Sequence, residues 1–268
     1  MAIELYKHNK KAYSNVLEHF ETTNRTCVVH ATGTGKSFIS LKWLEDNKDK
    51  KCLFLAPTHA IIDQFKTHIE DNGLSLSDFP NLEFELYTNV NNRIADNKYD
   101  CIVMDEFHRC GAKEWSKGIN KLLDNNEDAK VLGLSATPIR YLDDNRNMAD
   151  EIFNGNIASE ISIAEAIAMG ILQAPTYITS IYSFDNEIDK IQNQIDKYKN
   201  KEEKKELQKK LDEAKNMLEK SRGLSEVFEK YIKNDKGKYI VFCKDKPHME
   251  LMEEKSNEWF KNINKIKV

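Results

Sequence analysis

The 268-residue chain has no excess of either charge: 40 Lys and Arg stand against 44 Asp and Glu, a formal net charge of −4. That excludes a histone-like coating of nucleic acid, while a local basic groove on a near-neutral protein stays open. Paired cysteines are missing too. Cys27, Cys52, Cys101, Cys110 and Cys243 are odd in number and show no Cys-x-x-Cys spacing, and all but Cys110 lie in or beside apolar, strand-like runs. They read as reduced core thiols of a cytoplasmic protein rather than as a disulfide framework. The seven histidines form no His-x-x-x-His or Cys/His cluster, so no zinc site is expected. No apolar run approaches the ~18 residues of a membrane span, and Met1-Ala2-Ile3-Glu4 does not open a signal peptide. No membrane partner is expected. The rest, 40% hydrophobic and 31% charged, suits a globular protein with one full α/β domain and part of another.

The most informative stretch is His30-Ala31-Thr32-Gly33-Thr34-Gly35-Lys36-Ser37. It follows the apolar run Thr26-Cys27-Val28-Val29 and opens a helical run from Phe38 to Leu44. A strand, a glycine turn and a helix with Lys-Ser in its first turn form a phosphate cradle. Glycine lets the backbone approach an anion, and the free N–H groups of the helix start point at it. Lys36 reaches the terminal phosphates and Ser37 holds a magnesium ion. Chance alone yields a Gly-x-Gly-Lys-Ser/Thr string in roughly one chain in a hundred of this length. His30 also stands where the full motif has its first glycine. The cradle therefore needs support from the rest of the chain.

That support comes from the order of the elements. Residues 5–21 read as an amphipathic helix, and Thr26–His30 as the first strand. Lys51–Ala56 is a buried strand stopped by Pro57, and Thr58–Glu70 a helix ending near Asn72-Gly73. Leu82–Tyr87, Tyr99–Asp105 and Lys130–Ser135 are further strands, with Tyr177–Ile181 a sixth. Ser162–Met169 is a helix with a Ser162-x-x-Glu165 capping box, closed by Gly170. Alternating strands and helices predict a parallel, doubly wound sheet with helices on both faces, which binds ligands at its carboxyl edge. The unusual polar residues fall at that edge: the cradle, Pro57-Thr58, Tyr87-Thr88-Asn89, Asp105-Glu106-Phe107-His108 and Ser135-Ala136-Thr137-Pro138.

Beyond about residue 184 the chain becomes highly charged and free of glycine and proline up to Arg222. Ile188, Ile191, Ile195 and Tyr198 keep one helical phase, and Leu207, Leu211, Ala214 and Leu218 another. The break near Asn200-Lys201 predicts a helical hairpin, or one long helix with a stutter. Its charges read as a solvated face rather than a nucleic-acid surface. A new α/β pattern follows: a helix over Leu224–Ile232, a buried strand over Lys238–Cys243, a helix over Pro247–Phe260 and a strand start at Ile263–Val268. The expected division is a domain over residues 1–183, a helical linker over 184–223, and a truncated second domain over 224–268.

Asp105-Glu106, after four apolar residues, supplies the other half of a nucleotide site. The aspartate holds magnesium and the glutamate orients and deprotonates water. On the cradle alone a nucleotide kinase competes. A kinase of that kind needs no glutamate beside the strand-end aspartate, so a nucleoside-triphosphate hydrolase is the stronger reading.

Ala-Thr-Gly-Thr-Gly-Lys-Ser at 31–37, Ala-Pro-Thr at 56–58 with Gln64 beyond it, Asp-Glu-Phe-His at 105–108 and Leu-Ser-Ala-Thr-Pro at 134–138 resemble the ordered motifs of superfamily-two helicases. The likeness is to the DEAD/DEAH-box and type III restriction-subunit-like group, and it covers about residues 1–180. It implies a RecA-like P-loop fold, with Tyr-Ile-Val-Phe-Cys at 239–243 opening a second RecA-like domain. It implies ATP bound by Ala31, Thr32, Gly33, Thr34, Gly35, Lys36 and Ser37, magnesium on Ser37 and Asp105, and Glu106 as catalytic base. His108, Ser135 and Thr137 would couple the nucleotide to nucleic-acid binding. Pro57, Thr58 and Thr88 would lie along the nucleic-acid track. Read without the resemblance, Ser135 and Thr137 are a satisfied turn before Pro138.

Two departures stand out. The adenine-reading glutamine upstream of the cradle is replaced by Asn9, whose shorter amide would still have to pair with the base. The family's later arginines have no counterpart before Val268, and an arginine finger is worth about 10³ to 10⁵ in turnover in comparable enzymes. The expected function is the ATP-binding, hydrolysing portion of a nucleic-acid helicase or translocase, slow and not unwinding by itself. Its expected partners are nucleic acid, DNA ahead of RNA, and the rest of its own second domain. The alternatives are a duplex-DNA translocase of restriction or remodelling type, and a nucleotide-binding scaffold acting through residues 184–222.

Overall fold

The computed structural model describes residues 3–141, 145–175, 185–198, 200–221, 240–243 and 245–259. The chain divides into two units, Met1–Thr176 and Tyr177–Val268.

In the first unit the chain runs α1 (Lys7–Thr22), β1 (Arg25–His30), α2 (Lys36–Asp46), β2 (Cys52–Ala56), α3 (His59–Asp71), β3 (Leu82–Leu86), α4 (Val90–Arg93), β4 (Cys101–Asp105), α5 (Lys113–Asn125) and β5 (Lys130–Ser135). A two-stranded antiparallel hairpin follows, β6 (Ile139–Arg140) and β7 (Arg146–Asn147), then α6 (Met148–Phe153), β8 (Ile157–Ile161) and α7 (Ile163–Ala168). Six strands form one sheet in the order β3-β2-β4-β5-β1-β8, and every pairing is parallel.

The central strands are buried on both faces, so their side chains alternate between two cores rather than between core and water. Val28, Phe54, Val103 and Leu132 pack with α1, α2 and α3 through Val16, Ile39 and Phe65. Val29, Leu55, Met104 and Val131 pack on the other face with Val90, Leu122 and Phe153. This is the α/β, RecA-like sheet with helices on both faces expected from the sequence.

The sixth strand of the sheet is Ile157–Ile161, which the sequence pattern did not single out. Tyr177–Ile181 lies outside the described residues. β8 is an edge strand on which only Ala158 is buried, so it has no apolar run to announce it. The next helix follows expectation: Ser162 caps α7 and closes a reciprocal box with Glu165.

The second unit holds α8 (Asp185–Asp196), α9 (Lys201–Ser221) and α10 (Lys246–Trp259). Gln192 and Gln208 exchange amide hydrogen bonds at 2.7 and 3.1 Å, and Lys204 pairs with Asp196 at 3.0 Å. These contacts make α8 and α9 an antiparallel hairpin, not one continuous helix. The strand expected over Lys238–Cys243 is corrected where it is described: Ile240–Cys243 is not in a strand, and Phe242 is 90% exposed. A strand needs a neighbour for its backbone groups, and among the described residues none pairs with it. Leu224–Ile232 and Ile263–Val268 lie outside the described residues. No helix among the described residues is long and apolar enough to cross a membrane.

Gly133, in the middle of β5, lies against Phe153 of α6 and against Phe107. A Cβ there would stand 2.3 Å from the Phe153 ring and 2.9 Å from Phe107. Gly133→Ala is expected to overpack this core and destabilise the protein by about 1–3 kcal/mol. Urea unfolding of the two proteins measures the difference.

Candidate nucleotide site

The parallel sheet brings the ends of β1, β4 and β5 to one edge. The turn after β1 needs two residues in the left-handed region, and glycine occupies both: Gly33 at φ 89° and Gly35 at φ 82°. Gly35 is also the N-cap of α2 and offers no side chain to its first turn. The first turn of the helix therefore has no capping side chain, which leaves the Lys36 and Ser37 amides available to an anion. Thr34 closes the turn on itself, its Oγ1 donating to the Ala31 carbonyl at 2.8 Å.

Lys36 is buried, and its ammonium folds back onto the loop. Nζ donates to the His30 carbonyl at 2.9 Å and lies 3.4 Å from that of Ala31. Burial lowers its pKa, while Glu106 and Asp105 oppose the shift. The cation is thus held by carbonyl dipoles that it can exchange for phosphate oxygens. Thr32 and Gly33 are exposed, and Ser37 is half-buried.

Two side chains from the start of α1 hold the loop from behind. His8 Nε2 lies 2.8 Å from the Thr34 carbonyl, and Asn9 Nδ2 donates to the carbonyls of Thr34 and Gly35 at 3.0 and 3.1 Å. Asn9 is fully buried, and its Oδ1 has no hydrogen-bond partner. The adenine pairing expected of Asn9 does not fit this geometry: both amide hydrogens are committed to the loop and the oxygen is out of reach of solvent. A β-carbon at position 35 would lie 2.9 Å from Asn9 Nδ2, so the glycine and the asparagine fit each other.

At the end of β4, Asp105 is buried. Burial first, and then the neighbouring Glu106, push its carboxyl up to about 7. A divalent cation reverses that penalty. Glu106 adopts a left-handed conformation, φ 50° and ψ 47°, which a non-glycine residue takes at some cost and which recurs at functional sites. The bend sends its carboxylate toward β5. Glu106 Oε2 lies 3.3 Å from His108 Nδ1 and 3.5 Å from Ser135 Oγ. Burial alone would raise the Glu106 carboxyl; the His108 hydrogen bond and Lys36 outweigh it and leave it below its ordinary range.

Proton counting orders this cluster. Ser135 Oγ is 2.7 Å from the Thr137 carbonyl and 2.8 Å from His108 Nδ1. A hydroxyl has one proton. The carbonyl can only accept, so it takes that proton, and His108 carries its own on Nδ1, facing both Ser135 and Glu106. Ser135 also accepts from the Thr137 amide at 3.3 Å, and Thr137 Oγ1 accepts from the Ile139 amide at 3.2 Å. His108, Ser135 and Thr137 thus form one chain of hydrogen bonds from Glu106 to the start of β6. Pro57 is buried, whereas Thr58 and Thr88 are exposed at the ends of β2 and β3.

These residues fit a magnesium–nucleotide complex by the chemistry of their donors. The loop offers backbone N–H groups and an ammonium for phosphate. Ser37 and Asp105 offer the hard oxygens that magnesium takes. Sequence reasoning missed His8, and it missed that Asn9 is a support of the loop. The close Asn9–Gly35 approach that reveals this is tertiary.

The sheet, the glycine turn and the Asp-Glu pair across from Lys36 define a helicase-type ATPase domain. Residues 2–85 and 76–140 match the family described as the type III restriction enzyme, res subunit, and the chain belongs to that family. No curated protein sequence matches it. Among solved structures it is similar to a fragment of a putative HsdR subunit of a type I restriction enzyme from Vibrio vulnificus. The TM-score is 0.53 at 20% identity, over 94% of this chain and 44% of that one. It is also similar to the Hef helicase domain of Pyrococcus furiosus, with TM-score 0.51 and 16% identity over 70% of this chain and 45% of that one. The DNA-bound type ISP restriction-modification enzyme LlaBIII matches at TM-score 0.46 and 21% identity, over 62% of this chain. The chain spans 16% to 45% of the length of these structures.

His30 gives the site a pH signature. Burial first, then Lys36 and His8, lower its pKa to about 4 from an ordinary 6.5. The unfolded chain therefore takes up a proton below pH 6.5 that the folded one refuses. This contribution to stability is complete above pH 6.5 and is lost as pH falls toward 4, a change of about 3 kcal/mol. The raised Asp105 carboxyl acts in the opposite sense, losing stability as pH rises toward 7, so the contrast must be between proteins that share it. Urea unfolding from pH 6.5 to 4 is expected to cost the wild type about 3 kcal/mol more than His30→Gln. Parallel curves would show that His30 titrates as an ordinary histidine.

Proposed function

We propose that this chain is the ATP-binding and ATP-hydrolysing portion of a nucleic-acid motor. The observation that carries the reading is the placement of Glu106: its carboxylate is held by His108 and Ser135 beside the buried Asp105, in the electrostatic field of Lys36. Lys36 exchanges the His30 and Ala31 carbonyls for the terminal phosphates of ATP. Ser37 and Asp105 would hold magnesium, which would draw charge from the phosphate oxygens. Glu106, kept anionic, accepts a hydrogen bond from the attacking water and takes its proton as the water oxygen bonds to the γ-phosphorus and the bond from that phosphorus to the β–γ bridging oxygen breaks, ADP leaving.

The chain of hydrogen bonds from Glu106 through His108 and Ser135 to Thr137 supports a coupling role. A change at the carboxylate is felt where the backbone leaves β5. Thr58 and Thr88, exposed on the same sheet edge, are proposed contacts to the nucleic acid. DNA is proposed ahead of RNA because the family is described by a restriction enzyme. The same description favours translocation on duplex DNA as a second reading beside strand separation. Displacement of a triplex-forming strand without unwinding of the duplex distinguishes the two. Residues 224–268 are proposed to begin a second domain of the same kind, and turnover by the chain alone is proposed to be slow.

Glu106→Gln is expected to bind ATP with magnesium within a few-fold of wild type while turnover falls by about 10²–10⁴. Lys36→Ala is expected to lose binding itself. Equilibrium ATP binding and phosphate release, with and without DNA, measure both. Unchanged turnover in Glu106→Gln would remove the assigned role of Glu106, and unchanged binding in Lys36→Ala would remove the phosphate site.

A further inference from the structure

Glu106 stands in the left-handed region, at φ 50° and ψ 47°, and a residue with a β-carbon gains by leaving it. Rotation of one peptide unit, the one between Asp105 and Glu106, is enough to carry φ of Glu106 back to negative values. The bend therefore persists only where surrounding groups hold that peptide. Two groups hold it. Its N–H, on Glu106, donates to Asp105 Oδ1 at 3.0 Å. Its C=O, on Asp105, accepts from the hydroxyl of Tyr87 at 2.7 Å. A carbonyl can only accept, so the single phenolic proton is committed to it.

The first hold comes from the neighbouring residue of the same strand end. The second is built from outside, on a side chain that is itself fixed. Tyr87 opens a short turn, Tyr87–Asn89, after β3, and Glu85 closes that turn by accepting from Asn89 Nδ2 at 2.8 Å. The Tyr87 ring is buried in the core that contains Val90, Met104 and Phe107. It stacks on Trp115 of α5, with centroids 6.0 Å apart and an interplanar angle of 21°. Cys110, in the turn that follows Glu106, lies beside the same hydroxyl. Packing alone would be served by a phenylalanine. The hydroxyl adds one directed bond, and it falls on the peptide that sets the direction of Glu106.

We propose that Tyr87 is a positioning residue for ATP hydrolysis: its hydroxyl holds the Asp105–Glu106 peptide against rotation and so keeps the Glu106 carboxylate beside His108 and Ser135. The proposal rests on the reading of Glu106 as the base, and deepens it by naming the group that fixes its backbone.

The test is Tyr87→Phe in the full chain, which keeps the ring and removes only the hydroxyl. Ile69→Val, a small deletion in the core on the other face of the sheet, controls for general loosening. Tyr87→Phe is expected to bind ATP with magnesium within about threefold of wild type while turnover at saturating ATP falls by about 10–10²-fold. Ile69→Val is expected to leave both within about twofold. In a Glu106→Gln background Tyr87→Phe is expected to cost no more than about twofold in turnover, because the group being positioned no longer takes the proton. Amide exchange of the ligand-free protein, followed by NMR, is expected to be about tenfold faster at Glu106 in Tyr87→Phe and unchanged at Ile102 and Val103 within β4. Unaltered turnover in Tyr87→Phe, an equal fall in both backgrounds, or an unaltered Glu106 amide would overturn the proposal and leave the role of Glu106 standing. Loss of ATP binding in Tyr87→Phe, or the same fall in Ile69→Val, would make the tyrosine a residue of the core only and overturn it as well. Wild-type turnover no higher than that of Glu106→Gln would overturn both the proposal and the reading on which it rests.

Discussion

A buried ammonium without a carboxylate in direct contact is the constraint around which the site is arranged. Lys36 sits at the start of α2, where the helix dipole is already positive, and it is out of water. Its charge is met by the carbonyls of His30 and Ala31 and, at longer range, by Asp105 and Glu106. Carbonyls are good enough partners to keep the lysine in place and poor enough to be exchanged for a triphosphate. A carboxylate in contact would neutralise the lysine and compete with the ligand. The two acids are kept instead on β4, with β5 between them and β1.

That separation follows from strand order. β1 and β4 both pair with β5 and not with each other, so the loop and the acidic pair face one another across the end of Ser135. The serine therefore becomes the natural meeting point, and the single proton on its hydroxyl fixes the proton on His108. The left-handed bend at Glu106 completes the arrangement. An extended residue there would continue the line of the strand, whereas the bend returns the carboxylate to the space in front of β5. The strain falls on the residue proposed as the catalytic base, which is where an otherwise regular fold can be expected to break a local rule.

Much of this was legible in the chain because the central strands are apolar on both faces. Cys52–Ala56, Cys101–Asp105 and Lys130–Ser135 are short continuous runs, each followed by turn or acidic residues, and that pattern alone implies a sheet covered on both sides. The hairpin of α8 and α9 was legible in part, because a phase break shows where two helices meet but not whether the chain reverses; the Gln192–Gln208 pair settles that. β8 was not legible, since an edge strand buries too little to show an apolar run. Ile240–Cys243 misled for the opposite reason: hydrophobicity promises a strand only when another strand accepts its hydrogen bonds, and none does among the described residues. Asn9 misled because a position in a motif says where a side chain starts and not which way its donors point.

The histidine at position 30 shows how the loop manages without the first glycine of the fuller motif. That residue ends β1 and does not adopt the left-handed conformation that Gly33 and Gly35 need, so a side chain is tolerated. The imidazole reaches β8, where Nε2 meets Ser159 Oγ at 2.8 Å. Only the carbonyl of His30 takes part in the cradle, as the acceptor for Lys36. The unpartnered Nδ1 lies buried, which keeps the ring neutral, because a charged imidazole would stand unpaired beside the lysine. The edge strand that the sequence hid is therefore tied to the site: without β8 the histidine would have neither a hydrogen-bond partner nor a dry place to sit, and the strand end that positions Lys36 would be open to water.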